Sequence, residues 1–157
     1  MFKKIATGLL AAAATTTLAL SLPTAAQASS FGPRDSVASF STYSSNRLAK
    51  AEGTIRVNWD GRRDNTAVVR GRLYDRDARS YRRGGKCAWV TFQAREFRGG
   101  WDTVYTDKYC GYPNSKLIRF RVFDVSGVRV KVCQAGPERR AWPTRCGNWD
   151  YIFSARG

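Results

Sequence analysis

Apolar and polar residues alternate with a period of two through most of this chain, and no segment carries a convincing helical period. Successive side chains of a strand point to opposite faces, so this alternation is typical of strands with one buried face. Turn-forming residues separate the alternating segments. The pattern predicts an all-β protein, a small antiparallel β-sandwich or a partly open barrel. The predicted strands cover 49–59, 67–74, 87–94, 103–109, 117–123, 128–132 and 149–153.

One turn signal is sharper than the others. Residues 124–128 read Asp-Val-Ser-Gly-Val, which matches a three-residue hairpin loop with Gly127 at the position that takes a positive φ. We therefore expect the segments on either side to form a hairpin. Its register would place apolar residues opposite each other, as the pairs Val122 with Val130 and Phe120 with Val132.

Four cysteines further constrain the fold: Cys87, Cys110, Cys133 and Cys146. An even number of cysteines in an exported domain of this size predicts two disulfides that staple the fold. The chain has no Cys-x-x-Cys pair and no histidine, so we expect neither a metal nor a cofactor. Of the three possible connectivities we favour Cys87–Cys110 and Cys133–Cys146, since each closes a strand, a loop and a strand. The sequence alone leaves the other two open.

Residues 1–28 have the pattern of a cleavable export signal. Two lysines precede an uncharged stretch, and residues 26–28 supply the small side chains of a cleavage site. No second uncharged stretch is long enough to cross a bilayer. We expect a secreted, extracellular protein without a transmembrane segment. Residues 29–47 are rich in serine and should form an extended or partly disordered entry segment, and 48–157 should form a single β domain.

The charge of the chain is strongly positive, with 27 basic residues against 12 acidic ones. Such an excess attracts polyanions, and guanidinium groups suit phosphate, sulfate and carboxylate. The sequence therefore favours a non-enzymatic binding protein for an anionic polymer or an acidic protein surface. Nucleic acid, a cell-wall polymer and a protein surface are all compatible with this charge, and the oligomeric state stays open.

Many of the basic residues occupy the polar positions of the predicted strands, opposite the apolar face. In the two predicted hairpins, Arg56 lies across from Arg70 and Arg121 lies across from Lys131. Like charges directly opposite each other mildly destabilise a sheet, so their repetition requires either acidic neighbours or a bound anion. The alternative is an outer face whose long side chains extend into water. The candidate anion-binding residues are Arg56, Arg70, Arg72, Arg119, Arg121, Arg129 and Lys131.

A second candidate function rests on the segment between Cys133 and Cys146. It contains two prolines and the pair Arg139 and Arg140. A disulfide would present both arginines with little conformational freedom, which lowers the entropic cost of binding. Proteinase inhibitors present such loops, and arginine suits a trypsin-like pocket. A proteinase inhibitor is therefore the first alternative function.

Without histidine, the chain cannot form the usual Ser-His or Cys-His nucleophile arrangements. A histidine-free hydrolase remains as a further alternative, with the carboxylate pairs Asp75 and Asp77 or Asp60 and Asp64. Each pair lies in a turn among arginines, where an acid should be ion-paired and easily ionised rather than held as a proton donor. We expect these aspartates to be turn residues and the protein not to be an enzyme.

Aromatic residues divide into two groups by position. Trp149 falls on a strand pattern and is expected to be buried. Trp101 and Trp142 lie beside glycine or proline in predicted loops, where they could stack on bases or sugars. Loop tryptophans also cover small hydrophobic cores, so the positions of Trp101 and Trp142 do not indicate which ligand the protein binds.

Overall fold

The computed structural model describes residues 35–155, so the candidate export signal at residues 1–28 lies outside the described part. Within it, two antiparallel sheets contain nearly all the regular structure, with one short 3-10 turn, Tyr81–Arg83, and no α-helix. No helix of this part is long and apolar enough to cross a membrane. The predicted all-β class is confirmed. The strands are β1 (Ser36–Tyr43), β2 (Ala49–Trp59), β3 (Asn65–Asp75), β4 (Cys87–Glu96), β5 (Trp101–Tyr109), β6 (Ser115–Phe123), β7 (Val125–Ala135), β8 (Pro143–Thr144) and β9 (Asp150–Ser154).

The first sheet has four strands in the order β1-β2-β3-β6. The second has five, in the order β5-β4-β7-β8, with β9 also paired to β7. The inward side chains of both sheets form one apolar core. Phe92 of β4 lies near its centre, with its ring centroid 5.8 Å from that of Phe40 in β1 and 5.0 Å from that of Phe120 in β6. The sheets therefore pack face to face as a sandwich.

The first strand lies inside the segment 29–47, which we expected to be an extended or partly disordered entry. β1 pairs antiparallel with β2 over its whole length, so the described sheet begins at Ser36 rather than near residue 48. The inner face of β1 contributes Phe40 and Thr42 to the interior, and Thr42 donates a hydrogen bond of 2.7 Å to Asp150. Serines on both faces of this edge strand blur its alternation in the sequence.

The predicted hairpin of β2 and β3 is confirmed, but its register differs by two residues. Arg56 lies opposite Val68, not opposite Arg70, and Arg70 lies opposite Thr54. Because side chains alternate with a period of two, a slip of two residues leaves every side chain on its predicted face. The basic residues of both strands therefore still point outward.

The predicted hairpin around residues 124–128 is wrong. β6 pairs with β3 and β7 pairs with β4, so the chain crosses from one sheet to the other at Asp124. Asp124, not Gly127, adopts the positive φ, 54°. The buried side chain of Asn65 fixes this crossing: its amide donates to the carbonyl of Val125 at 2.9 Å, and its oxygen accepts from the Val125 N–H at 3.0 Å. Val122 and Phe120 consequently pack against the same core as Val130 and Val132, but from the other sheet.

Both predicted disulfides are present, Cys87–Cys110 and Cys133–Cys146. The first connects the start of β4 to the residue after β5, and the second connects β7 to the segment before β9. No free cysteine occurs in the described residues. Both bridges belong to the five-stranded sheet, so only hydrogen bonds and core packing hold the four-stranded one.

Candidate functional site

Five of the seven candidate anion-binding residues lie together on the outer face of the four-stranded sheet. They occupy polar positions of β2, β3 and β6 that alternate with core residues such as Ile55, Val69 and Ile118. All five are exposed. This set, called the arginine face below, consists of Arg56, Arg70, Arg72, Arg119 and Arg121.

Strand pairing brings these arginines close to one another. Arg70 of β3 lies directly opposite Arg119 of β6. In the next row, Val68 of β3 is paired with Arg56 on one side and with Arg121 on the other. Neighbouring strands are about 4.8 Å apart and alternate residues of one strand about 6.7 Å apart. The arginine face is therefore a compact grid of positive charge.

One acid, Glu52, shares the outer face of these strands with the grid and lies directly opposite Arg72. In the part of the chain that the structure describes, none of the five arginines forms a salt bridge. Arg72 donates one hydrogen bond, at 3.0 Å, to the hydroxyl of Ser115. Glu52, the acid among the outward positions of these strands, is ion-paired with Lys50. Hydrogen bonding between them lowers the pKa of Glu52 and raises that of Lys50, so Glu52 is paired with a lysine of its own strand rather than with Arg72.

Apolar side chains share this face, which the sequence analysis missed. Leu117 and Phe123 of β6 are 67% and 58% exposed, and Val37 of β1 is 59% exposed. The alternation in the sequence could have indicated these exposed apolar residues, because Leu117 and Phe123 point to the same side of β6 as Arg119 and Arg121. A shallow groove of about 410 Å³ also opens on this face, lined by Val37, Thr54, Arg56, Asn58, Val68 and Arg70.

The remaining two candidate residues, Arg129 and Lys131, do not belong to the arginine face. They lie on β7, so they are on the outer face of the other sheet, and Lys131 pairs with Thr91 rather than with Arg121. The guanidinium of Arg129 lies between two indole rings, 4.3 Å from the centroid of Trp101 and 4.4 Å from that of Trp149. Lys131 lies 4.3 Å from the Trp149 ring. The incorrect hairpin had placed both residues beside β6.

Arg129 also uses its hydrogen-bond donors within the protein. Its Nε and Nη2 donate to the side-chain oxygen of Gln93 at 3.0 and 2.7 Å, and Nη1 donates to the Tyr151 hydroxyl at 3.3 Å. Trp149, expected in the core, instead lies half-buried against this guanidinium. Cation–π contacts of this kind are attractive. The Arg129 side chain therefore connects β7 to β4 through Gln93 and to β9 through Tyr151.

Arg139 and Arg140 are exposed at a turn in the loop closed by Cys133–Cys146. The Ala141 N–H donates to the carbonyl of Glu138 at 3.1 Å, which closes the turn around the two arginines. Lys108 supports the loop from β5, because its ammonium donates to the carbonyls of Gly136, Pro137 and Glu138 at 3.3, 3.1 and 2.5 Å. Next to this turn, Trp142 is 85% exposed.

The carboxylates considered for hydrolysis lie at the two ends of β3, with Asp60 and Asp64 in the turn before it and Asp75 and Asp77 at its end and in the loop that follows. Asp75 and Asp77 are both buried. Asp77 accepts hydrogen bonds from the Arg79 side chain at 2.8 and 2.9 Å, which lower its pKa. Burial raises the pKa of Asp75, contrary to the expectation that it would be ion-paired, although its oxygen accepts from the Asp77 N–H at 3.1 Å. Asp60 and Asp64 are exposed and close the β2–β3 turn through backbone hydrogen bonds.

Comparisons of the chain with protein-family models, with curated proteins and with solved structures find no match. Among the described residues, the arginine face brings five exposed arginines onto one side of a sheet.

Proposed function

We propose that this protein is a secreted, non-enzymatic binding protein whose arginine face holds an anionic polymer or an acidic partner. One observation carries the proposal: five exposed arginines converge on one sheet face, and no described carboxylate forms a salt bridge with any of them. A face that served only for solubility would be equally well served by charges of both signs, as in most protein surfaces.

The arrangement costs stability in the free protein. Like charges directly opposite each other on neighbouring strands repel, and Arg70 and Arg119 are such a pair. A polyanion lying across the face would convert this repulsion into attraction to every arginine. Each guanidinium can donate two parallel hydrogen bonds to a phosphate, sulfate or carboxylate group.

The compartment is part of the same proposal. Residues 1–28 have the pattern of an export signal, and two disulfides are compatible with an oxidising environment outside the cell. The partner would therefore be an extracellular anion, and the cationic arginine face would bind it.

The test compares two triple variants with equal changes of net charge. Arg70→Glu, Arg119→Glu and Arg121→Glu together alter the arginine face. Arg82→Glu, Arg98→Glu and Arg140→Glu together alter three exposed arginines outside the strands that form no salt bridge among the described residues. We expect the first variant to lose far more affinity for long-chain polyphosphate and for heparin than the second.

Salt dependence provides a second measurement. If a linear nucleic acid contacts about five arginines, the logarithm of its affinity should fall against the logarithm of salt concentration with a slope of about −3.5 to −4.5. Equal losses of affinity from the two triple variants would mean that net charge alone attracts the ligand, and would refute the proposal.

A further inference from the structure

Four successive outward positions of β6 carry two kinds of side chain, with two arginines between two apolar residues. In order they are Leu117, Arg119, Arg121 and Phe123, all exposed. Arginines alone would suit a dissolved polyanion. The leucine and the phenylalanine would gain nothing from one, because a chain of phosphates or sulfates offers them no apolar surface.

The exposed apolar side chains lie at the margins of the arginines, and one half-buried side chain, Val68, lies between Arg56 and Arg121. Leu117 and Phe123 are six residues apart on β6, so their Cα atoms are separated by about 20 Å, with Arg119 and Arg121 between them. Val37 lies on β1, the opposite edge of the sheet, in the row of Arg56. Apolar groups therefore flank the grid of positive charge along β6 and across the sheet.

A bilayer surface that contains anionic lipids has the matching chemistry. Its headgroup phosphates form a flat negative layer that attracts basic side chains. Directly below this layer begins the hydrocarbon, into which exposed Leu and Phe side chains at an interface can insert. A single sheet face can make both contacts at once, because all its outward side chains extend to the same side.

We propose that the anionic partner of the arginine face is a phospholipid bilayer surface, with Arg56, Arg70, Arg72, Arg119 and Arg121 at the headgroup phosphates and Leu117, Phe123 and Val37 inserted at their margins. This inference rests on the proposed function, since it needs the arginines to bind anions. It adds the identity of the partner and a role for the apolar side chains.

The experiment uses the oxidised, full exported chain and two ligands. Sedimentation with sucrose-loaded vesicles measures membrane binding, with vesicles of phosphatidylglycerol and phosphatidylcholine in equal parts and vesicles of phosphatidylcholine alone. Long-chain polyphosphate in solution measures anion binding without hydrocarbon. The apolar variant is Leu117→Ser with Phe123→Ser. The matched control is Val104→Ser with Trp142→Ser, which removes exposed apolar surface away from the arginine face.

We expect the protein to bind the anionic vesicles and not those of phosphatidylcholine alone. The apolar variant should lose about tenfold or more in vesicle affinity and keep its affinity for polyphosphate. The control variant should keep both. The variant with Arg70→Glu, Arg119→Glu and Arg121→Glu should lose both.

Two results would overturn the inference while leaving the proposed function intact: binding of polyphosphate without binding of anionic vesicles, or an apolar variant that binds vesicles as well as the unmodified protein does. If the arginine reversals change polyphosphate affinity no more than the loop reversals do, the proposed function itself fails. Circular dichroism and thermal unfolding of each variant separate a loss of ligand binding from a loss of fold.

Discussion

Arg70 and Arg119 lie directly opposite each other on β3 and β6, with no described acid bonded to either. A substitution that reverses the charge of Arg119 should therefore raise stability and weaken anion binding. Arg119→Glu should replace a repulsion with an attraction across the strands and stabilise the protein by about 0.5 kcal/mol at low salt. The same change should weaken binding of polyphosphate.

The control for this prediction is Arg121→Glu, on the same strand and the same face but opposite Val68. It should weaken polyphosphate binding without the gain in stability. Urea unfolding at low and at high salt measures the difference. A stabilisation by Arg119→Glu that survives at high salt would contradict an electrostatic origin.

The crossing from β6 to β7 should depend on Asn65. Asn65→Ala leaves the N–H and the carbonyl of Val125 without the two partners that the amide provides. Since these groups are buried, we expect a loss of about 2 to 3 kcal/mol in the free energy of unfolding. Asn58→Ala, on the outer face of β2, should change it by less than about 0.5 kcal/mol. Similar losses in the two variants would show that the Asn65 side chain is dispensable.

Most strands could be predicted from the sequence, because the alternation of polar and apolar residues within a strand does not depend on which strand it pairs with. The crossing from β6 to β7 could not be predicted in this way. Residues 124–128 carry a valid hairpin signal, and the residue that overrides it, Asn65, lies 60 positions away. The same error misplaced Arg129 and Lys131, since the sheet to which a strand belongs is decided by its partners and not by its own pattern.

The five remaining arginines were assigned to the correct face despite a wrong register. A slip of two residues between β2 and β3 changes which side chains are opposite each other but not which side they point to. Their lack of salt bridges could not be read from the sequence, because Glu52 lies directly opposite Arg72 and yet is ion-paired with Lys50.

Asp77 should make the stability of the protein sensitive to acid. Its pKa is lowered in the folded state, chiefly by the hydrogen bonds of the Arg79 side chain, from an ordinary value of 3.8. Because folding lowers the pKa of this carboxyl group, its ionised form stabilises the folded protein. This stability is present above about pH 5 and is lost as the pH falls through 3.8 and below. Urea unfolding of Asp77→Asn should show lower stability than the unmodified protein at pH 7 and a weaker decline toward pH 2. Parallel pH profiles for the two proteins would contradict this role.

Lys108 should hold the loop that carries Arg139 and Arg140. In Lys108→Met the three carbonyl groups of the loop lose their shared donor, and trypsin should cleave after these arginines faster than in the unmodified protein. Lys116→Met, which breaks the ion pair with Asp107, is the control and should leave the cleavage rate unchanged. Mass spectrometry of early digestion products identifies the site.

The same loop permits a test of the inhibitor alternative. Arg139→Ala with Arg140→Ala should leave the free energy of unfolding unchanged, since both side chains are exposed. If the protein inhibits a trypsin-like protease, this double substitution should abolish the inhibition. An unmodified protein without inhibition at micromolar concentration removes that alternative.

The two halves of the sandwich differ in how they are tethered. Cys87–Cys110 and Cys133–Cys146 both lie in the five-stranded sheet, and the sheet with the arginine face has no covalent cross-link. Segments with fewer constraints open first in the native state. Amide hydrogens of β1, an edge strand, should therefore exchange with solvent before those of β4 and β7. Both cross-links that a reducing agent would break lie in the half of the molecule that does not carry the arginine face.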